Sequence, residues 1–157
     1  MAFGIESYKK MEIPIPNDEN IILVPRTLFW VNHRKGGWSD AILVFTNKGI
    51  HFRVRKDVVF DKPGVTLDDG HTLLENTFLA YDRILNYAQG TMLWKTTVAI
   101  QMVDGTSMRF GFHKDIAKVM QLLPQLVQLG TPRNTEPYDY DSHKPQSVPH
   151  QMVSAPK

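Results

Sequence analysis

Apolar and polar positions alternate with a period of two in several stretches of this chain, and with a helical period in one. The run Glu19–Asn32 (ENIILVPRTLFWVN) holds two β-rich segments broken at Pro25, which cannot donate to a ladder and therefore predicts an edge or a bulge. HRKGGWSD (His33–Asp40) reads as a loop from its glycine pair and its charges. AILVF (Ala41–Phe45) is apolar without interruption, the pattern of a strand covered on both faces. The tetrapeptide Thr46-Asn47-Lys48-Gly49 then predicts a hairpin, a type I turn with Gly49 left-handed in a bulge. In the returning strand Ile50, Phe52 and Val54 face the core, leaving His51, Arg53 and Arg55 on the other side, with His51 and Arg53 expected in water.

Further along, DVVF (Asp57–Phe60) predicts a short strand before the Lys62-Pro63-Gly64 turn. The segment Val65–Gly90 contains an Asp69-Gly70 turn and at least one strand around Phe78–Tyr87, although Phe78, Tyr81, Ile84 and Leu85 also share a helical face. Two alternating runs flank Asp104-Gly105, a strong hairpin signal, and place Val98, Ile100 and Met102 opposite Met108, Phe110 and Phe112. HKDIAKVMQLLPQLVQLG follows as an amphipathic helix over about residues 114–129, with Ile116, Val119, Met120, Leu123, Leu126 and Val127 on one stripe. Asp115 suits its start and Gly130 its stop, while Pro124 predicts a kink or a tightened last turn.

Strands followed by one helix give an α+β fold: a partly open antiparallel β-barrel of about seven strands in two packed sheets, capped by the C-terminal helix. Residues 1–18 form an N-terminal extension and residues 19–130 the domain. Residues 131–157 carry five prolines and few aliphatics, the composition of a disordered tail, in which PYDYD (Pro137–Asp141) is a candidate recognition motif.

Composition narrows the function classes. The 157 residues, 42% of them hydrophobic, suffice for one ordinary core. A net charge of +2 excludes a strongly basic nucleic-acid arm but not a local basic patch. With no cysteine there is no disulfide, thiolate metal site or cysteine nucleophile. The six histidines show no H-x-H or H-E-x-x-H spacing, so no metal or other cofactor is expected. There is no G-x-S-x-G elbow and no phosphate-binding G-x-x-x-x-G-K-[ST], and the serines Ser7, Ser39, Ser107, Ser142, Ser147 and Ser154 lack a nucleophile's setting. Asp68-Asp69 next to Gly70 reads as a solvated turn. The expectation is therefore a binding protein and not an enzyme, with a small-ligand enzyme as the least favoured alternative. MAFGIESYKK lacks the apolar run of a signal peptide, and no stretch approaches about 18 apolar residues, so a soluble, cytoplasmic protein that could sit peripherally at a membrane is expected.

The element order, carried by ILVFTNKGIHF, YDRILNYAQG and VAIQMVDGTSMRFGF running into HKDIAKVMQLL, resembles the pleckstrin-homology superfold, in particular its bacterial and GRAM-like branches. The resemblance covers about residues 20–130 and implies a non-enzymatic binding module for membrane lipid or protein.

Independently of that, the basic positions divide by strand direction. Successive hairpin loops of a meander lie at opposite ends of a sheet, so Lys48 is separated from Arg34 and Lys35. Arg55, Lys56 and Lys62 return toward them, beside Gly36, Gly37 and Trp38. Arg34, Lys35, Trp38, Arg55, Lys56 and Lys62 are the candidate ligand-binding residues: cations for an anionic phospholipid headgroup and an indole for its interface, with a protein as the alternative partner. A protein-assembly role through a sheet edge or helix groove, with the tail as tether, is the second reading. Nucleic-acid binding is disfavoured, because Phe52 points away from Arg53 and Arg55 and stacking would not share a face with phosphate contacts.

Overall fold

A computed structural model describes residues 12–30, 38–54, 77–92, 94–128, 133–136 and 149–156. Its strands are β1 (Glu12–Pro16), β2 (Ile21–Leu23), β3 (Arg26–Trp30), β4 (Trp38–Thr46), β5 (Gly49–Val54), β6 (Thr77–Ala80), β7 (Ile84–Met92), β8 (Lys95–Met102), β9 (Ser107–Phe112) and β10 (His150–Ser154). Among the described residues one α-helix, α1, spans Ile116–Leu126. DVVF, the Lys62-Pro63-Gly64 and Asp69-Gly70 turns, Gly130 and PYDYD lie outside the described residues.

The main sheet is antiparallel and ordered β6-β5-β4-β3-β9-β8-β7, with β2 also pairing β4. It curls into a half-barrel. Phe52 on β5 and Phe110 on β9 are three strands apart, about 14 Å in a flat sheet, yet their ring centroids stand 5.1 Å apart, edge to face. Helix α1 closes the hollow with Val119, Leu123 and its cap residue Val127, all buried in the same cluster as Phe45, Phe52 and Phe110. The helix passes through Pro124 and stops two residues later; near its end the Gln125 side-chain amide donates to Gln121 O at 3.3 Å. Asp115 is the N-cap residue, but its carboxylate serves another strand, accepting the Arg26 N–H at 2.9 Å.

The apolar run on β4 is buried on both faces. Ala41, Leu43 and Phe45 enter the main core, while Ile42 and Val44 enter a second cluster with Ile13, Ile15 and Ala155. That second cluster lies under a two-stranded ribbon of β1 and β10, paired from Glu12↔Ser154 to Pro16↔His150. Within the segment expected to be a disordered tail, residues 150–154 thus form a strand. Val153 packs part-buried on the second cluster and Ala155, just past the strand, is buried in it, while Met152 stays exposed; composition alone does not reveal this anchoring. Residues 133–136 are also held. Asn134 N–H donates to Asp82 O at 2.9 Å, Arg133 donates to Tyr81 O at 3.1 Å, and Arg83 donates to Glu136 O at 2.6 Å.

The stretch around Phe78–Tyr87, expected to hold at least one strand, holds two, β6 and β7, which turn a corner through a 3-10 turn at Tyr81–Arg83. Pro25 separates β2 from β3 but carries no bulge: the register shift against β4 falls earlier, between Ile21 and Leu23, and Leu23↔Phe45 and Arg26↔Ile42 keep one register across the proline. The Asp104-Gly105 hairpin pairs Val98 with Phe110 and Ile100 with Met108, and Gly105 adopts φ 90°. Gly49 differs from expectation: Gly105 is the one described glycine with positive φ. Gly49 is needed for space. A Cβ there would lie 2.5 Å from the Phe78 ring and 2.6 Å from Leu79 O, where β6 crosses against β5.

Candidate functional site

Strand register assigns the chain's basic positions to two ends of the sheet. Trp30 pairs Trp38, and Val54 pairs Ala41, so the strand ends flanking residues 31–37 and 55–76 lie at one end. The Asp104-Gly105 hairpin joins them, because Phe29 pairs Phe110 and Gln101 pairs Ser107. Of the six candidate residues, Arg34, Lys35, Arg55, Lys56 and Lys62 lie outside the described residues. Trp38 belongs to β4 and not to a loop, because its backbone pairs with Trp30. Lys48 stands at the other end of β4 and β5, paired with Asp18 at 2.9 Å. That partner holds its ammonium pKa above the ordinary lysine value, through hydrogen bond and charge together.

His51 is not in water. It is 4% exposed, and its Nε2 sits 2.8 Å from Oε1 of Glu19, itself 4% exposed. Thr46 Oγ1 donates to the same oxygen at 2.6 Å and accepts from the Gly49 N–H at 3.3 Å. Tyr81 Oη stands 2.6 Å from Thr46 O and 3.1 Å from Gly49 O. Burial and the Glu19 charge raise the Tyr81 pKa far above the usual phenol value. These four groups bind the turn after β1 to the β4–β5 hairpin and to the corner before β7. Alternation assigns a strand residue to a face, but not whether a loop will cover that face, and Glu19 supplies the cover.

The end of the sheet opposite residues 31–37, which also holds the Lys48 hairpin, carries an open cleft. Met92 pairs Lys95 at the tip of the β7–β8 hairpin, and Trp94 stands in the tight connection between them. Trp94 is left 97% exposed with φ 69°, a left-handed backbone that a bulky side chain adopts at a cost of about 1–2 kcal/mol. Lys95 and Thr96 begin β8, and antiparallel pairing sets them beside the end of β9, where Phe112 leads into His113 and Lys114. Together with Gly111 these six residues line a cavity of about 350 Å³. The His113 pKa is lowered from the ordinary imidazole value by partial burial, then by the charges of Lys95 and Arg26. Neither Lys95 nor Lys114 has an ion-pair partner among the described residues.

No family model, curated protein or solved structure matches this chain. Its chemistry is therefore read from the cleft itself: two ammonium groups, one imidazole and one exposed indole, a set suited to holding an anion beside an apolar or interfacial surface. Among the described residues no three His, Asp or Glu side chains group as metal ligands, and no helix is long and apolar enough to cross a membrane. Sequence reasoning missed Trp94, Lys95, His113 and Lys114 because the hairpin lacks the Asn or Gly that usually marks a two-residue turn. One signal was available: a Leu-Trp-Lys break between the alternating runs NYAQGTM and TTVAIQM.

Proposed function

We propose that this protein is a non-enzymatic docking module for anionic membrane surfaces, and that the Trp94 hairpin end makes the contact. The observation that carries the reading is the 97% exposed Trp94, held in a strained backbone beside Lys95, His113 and Lys114. An indole at a hairpin tip partitions to the headgroup region, and strain retained at an exposed tip points to a role outside folding. Lys95 and Lys114 would each contribute about 1 kcal/mol at an anionic leaflet, together roughly thirtyfold in affinity. The half-barrel with its closing helix, and strands in the order expected from the resemblance, support a pleckstrin-homology-like assignment.

Vesicle co-sedimentation tests the reading. Acidic vesicles should retain the protein and neutral ones should not, with retention falling as salt rises. Trp94→Ala and Lys95→Glu/Lys114→Glu should each abolish it, and Lys48→Glu should not. If Arg34→Glu/Lys35→Glu abolishes binding while the cleft variants bind normally, docking belongs to the loops at the opposite end. Equal binding to neutral and acidic vesicles overturns the proposal.

A second reading, protein assembly with the C-terminal segment as a strand-adding tether, is favoured by one observation: β10 pairs along β1. Deleting residues 131–157 should then release a partner or change the mass by light scattering; an unchanged mass and unchanged pull-downs count against it.

A further inference from the structure

We infer that the cleft beneath Trp94 takes a terminal phosphate group, a phosphomonoester, and that His113 is its proton-accepting ligand. This rests on the docking proposal and names the headgroup chemistry that would satisfy it. The charged groups around the imidazole favour an anion. Lys95 approaches from β8, Lys114 follows in the chain, and Arg26 on β3 is close enough to act on it by charge. The nearby carboxylate, Asp115, is already engaged by the Arg26 backbone N–H at 2.9 Å and lies 3.8 Å from the Lys118 ammonium. Lys95 and Lys114 concentrate positive charge around an imidazole that partial burial biases toward its neutral form, an arrangement open to an anion. A bound dianion would reverse the repulsion felt by His113 and allow it to take up a proton as a third cationic donor.

A phosphomonoester matches that capacity better than a diester. It carries about −1.5 to −2 charges at neutral pH and three terminal oxygens, against one charge and two such oxygens. The available volume, about 350 Å³, admits a phosphate with a short polar stem. Trp94 and Phe112, which line the same cavity, would cover the apolar side of that stem.

The test uses the full chain and two kinds of probe. The first is soluble sn-glycerol 3-phosphate, followed by NMR titration of the His113 imidazole. Its titration midpoint should rise by about one pH unit on saturation, a tenfold preference for the cationic form. The second is a matched pair of vesicles, one containing phosphatidic acid and the other phosphatidylglycerol at equal surface charge. Phosphatidic acid should be bound on the order of tenfold more tightly, and His113→Gln should reduce that preference while leaving the hairpin folded, as Trp94 and backbone shifts would report. A His113 midpoint unmoved by glycerol phosphate, together with equal binding to the two vesicles, overturns the inference and leaves membrane docking intact. A shifted midpoint with no vesicle binding supports the phosphate site and removes the membrane as its source.

Discussion

Replacing Gly49 by alanine probes the tightest backbone approach described in the fold. The added Cβ would sit 2.5 Å from two atoms of the Phe78 ring and 2.6 Å from the Leu79 carbonyl oxygen. The ring has little freedom to retreat, being 6% exposed and stacked on His51 at a centroid distance of 4.6 Å. The carbonyl has less, since β5 and β6 are paired at Gly49↔Ala80 and Ile50↔Leu79. Overpacking of this kind costs about 1–3 kcal/mol. Alanine returns about 0.4–1 kcal/mol by restricting the unfolded chain. Because a backbone atom is among the clashes, the net expectation is a loss of about 2 kcal/mol, or roughly 6 °C in midpoint for a chain of this size. Equilibrium urea unfolding followed by circular dichroism measures it. Gly90→Ala is the control, since its Cβ would meet Thr97 Oγ1 at 3.5 Å and Arg109 Nη1 at 3.7 Å, ordinary contacts that predict a neutral or slightly stabilising change. A Gly49→Ala loss below about 0.5 kcal/mol, within the spread of surface substitutions, would refute the steric account of why glycine stands there.

Three further outcomes are expected. Glu19→Ala removes the buried acceptor that Thr46 Oγ1 and His51 Nε2 share and should cost about 2 kcal/mol; Glu19→Gln, which keeps an acceptor, should cost less, with denaturant unfolding ranking the two. Tyr81→Phe should lose about 1 kcal/mol for its hydrogen bond to Thr46 O. Because the Tyr81 pKa is raised above the ordinary phenol value of 10.0, its contribution is complete below about pH 10 and declines as pH rises toward the folded value, so the difference between wild type and Tyr81→Phe should narrow in alkaline unfolding. Truncation before Pro149 removes β10 and should expose the cluster of Ile13, Ile15, Ile42 and Val44, detected as dye binding and as faster amide exchange in β1 while α1 stays protected.

Periodicity read the interior well and the periphery poorly. AILVF, the Asp104-Gly105 hairpin and the Val119-Leu123-Val127 stripe follow from local chemistry, and each lies in the core that local chemistry requires. His51 obeyed the alternation but not the expectation attached to it, because its burial depends on Glu19, 32 residues away. Gly49 was recognised as obligatory for a conformational reason, when the cause is the Phe78 ring crossing from another strand. The β10 segment was invisible because a proline-rich stretch with one Met and one Val in its strand becomes structured only when β1 and the outer face of β4 are already in place. The cleft failed differently: each residue is ordinary alone, and only the β7–β8 and β8–β9 registers bring Trp94 and Lys95 beside His113.

The β1–β10 ribbon also decides how the molecule responds to force. Glu12 and Ser154 are paired at the ribbon's outer end, so tension applied through the flanking chain segments acts on that one pair first. The strands would part in sequence, as a zipper does, rather than resist together in shear. The bonds ending at Pro16↔His150 would yield one after another while the half-barrel stayed loaded only through its connections. Each step would uncover part of the Ile42 and Val44 face. Pulling on this protein would thus peel away its cover long before unfolding its core, and the exposed strip of β4 would report tension as a change in surface chemistry.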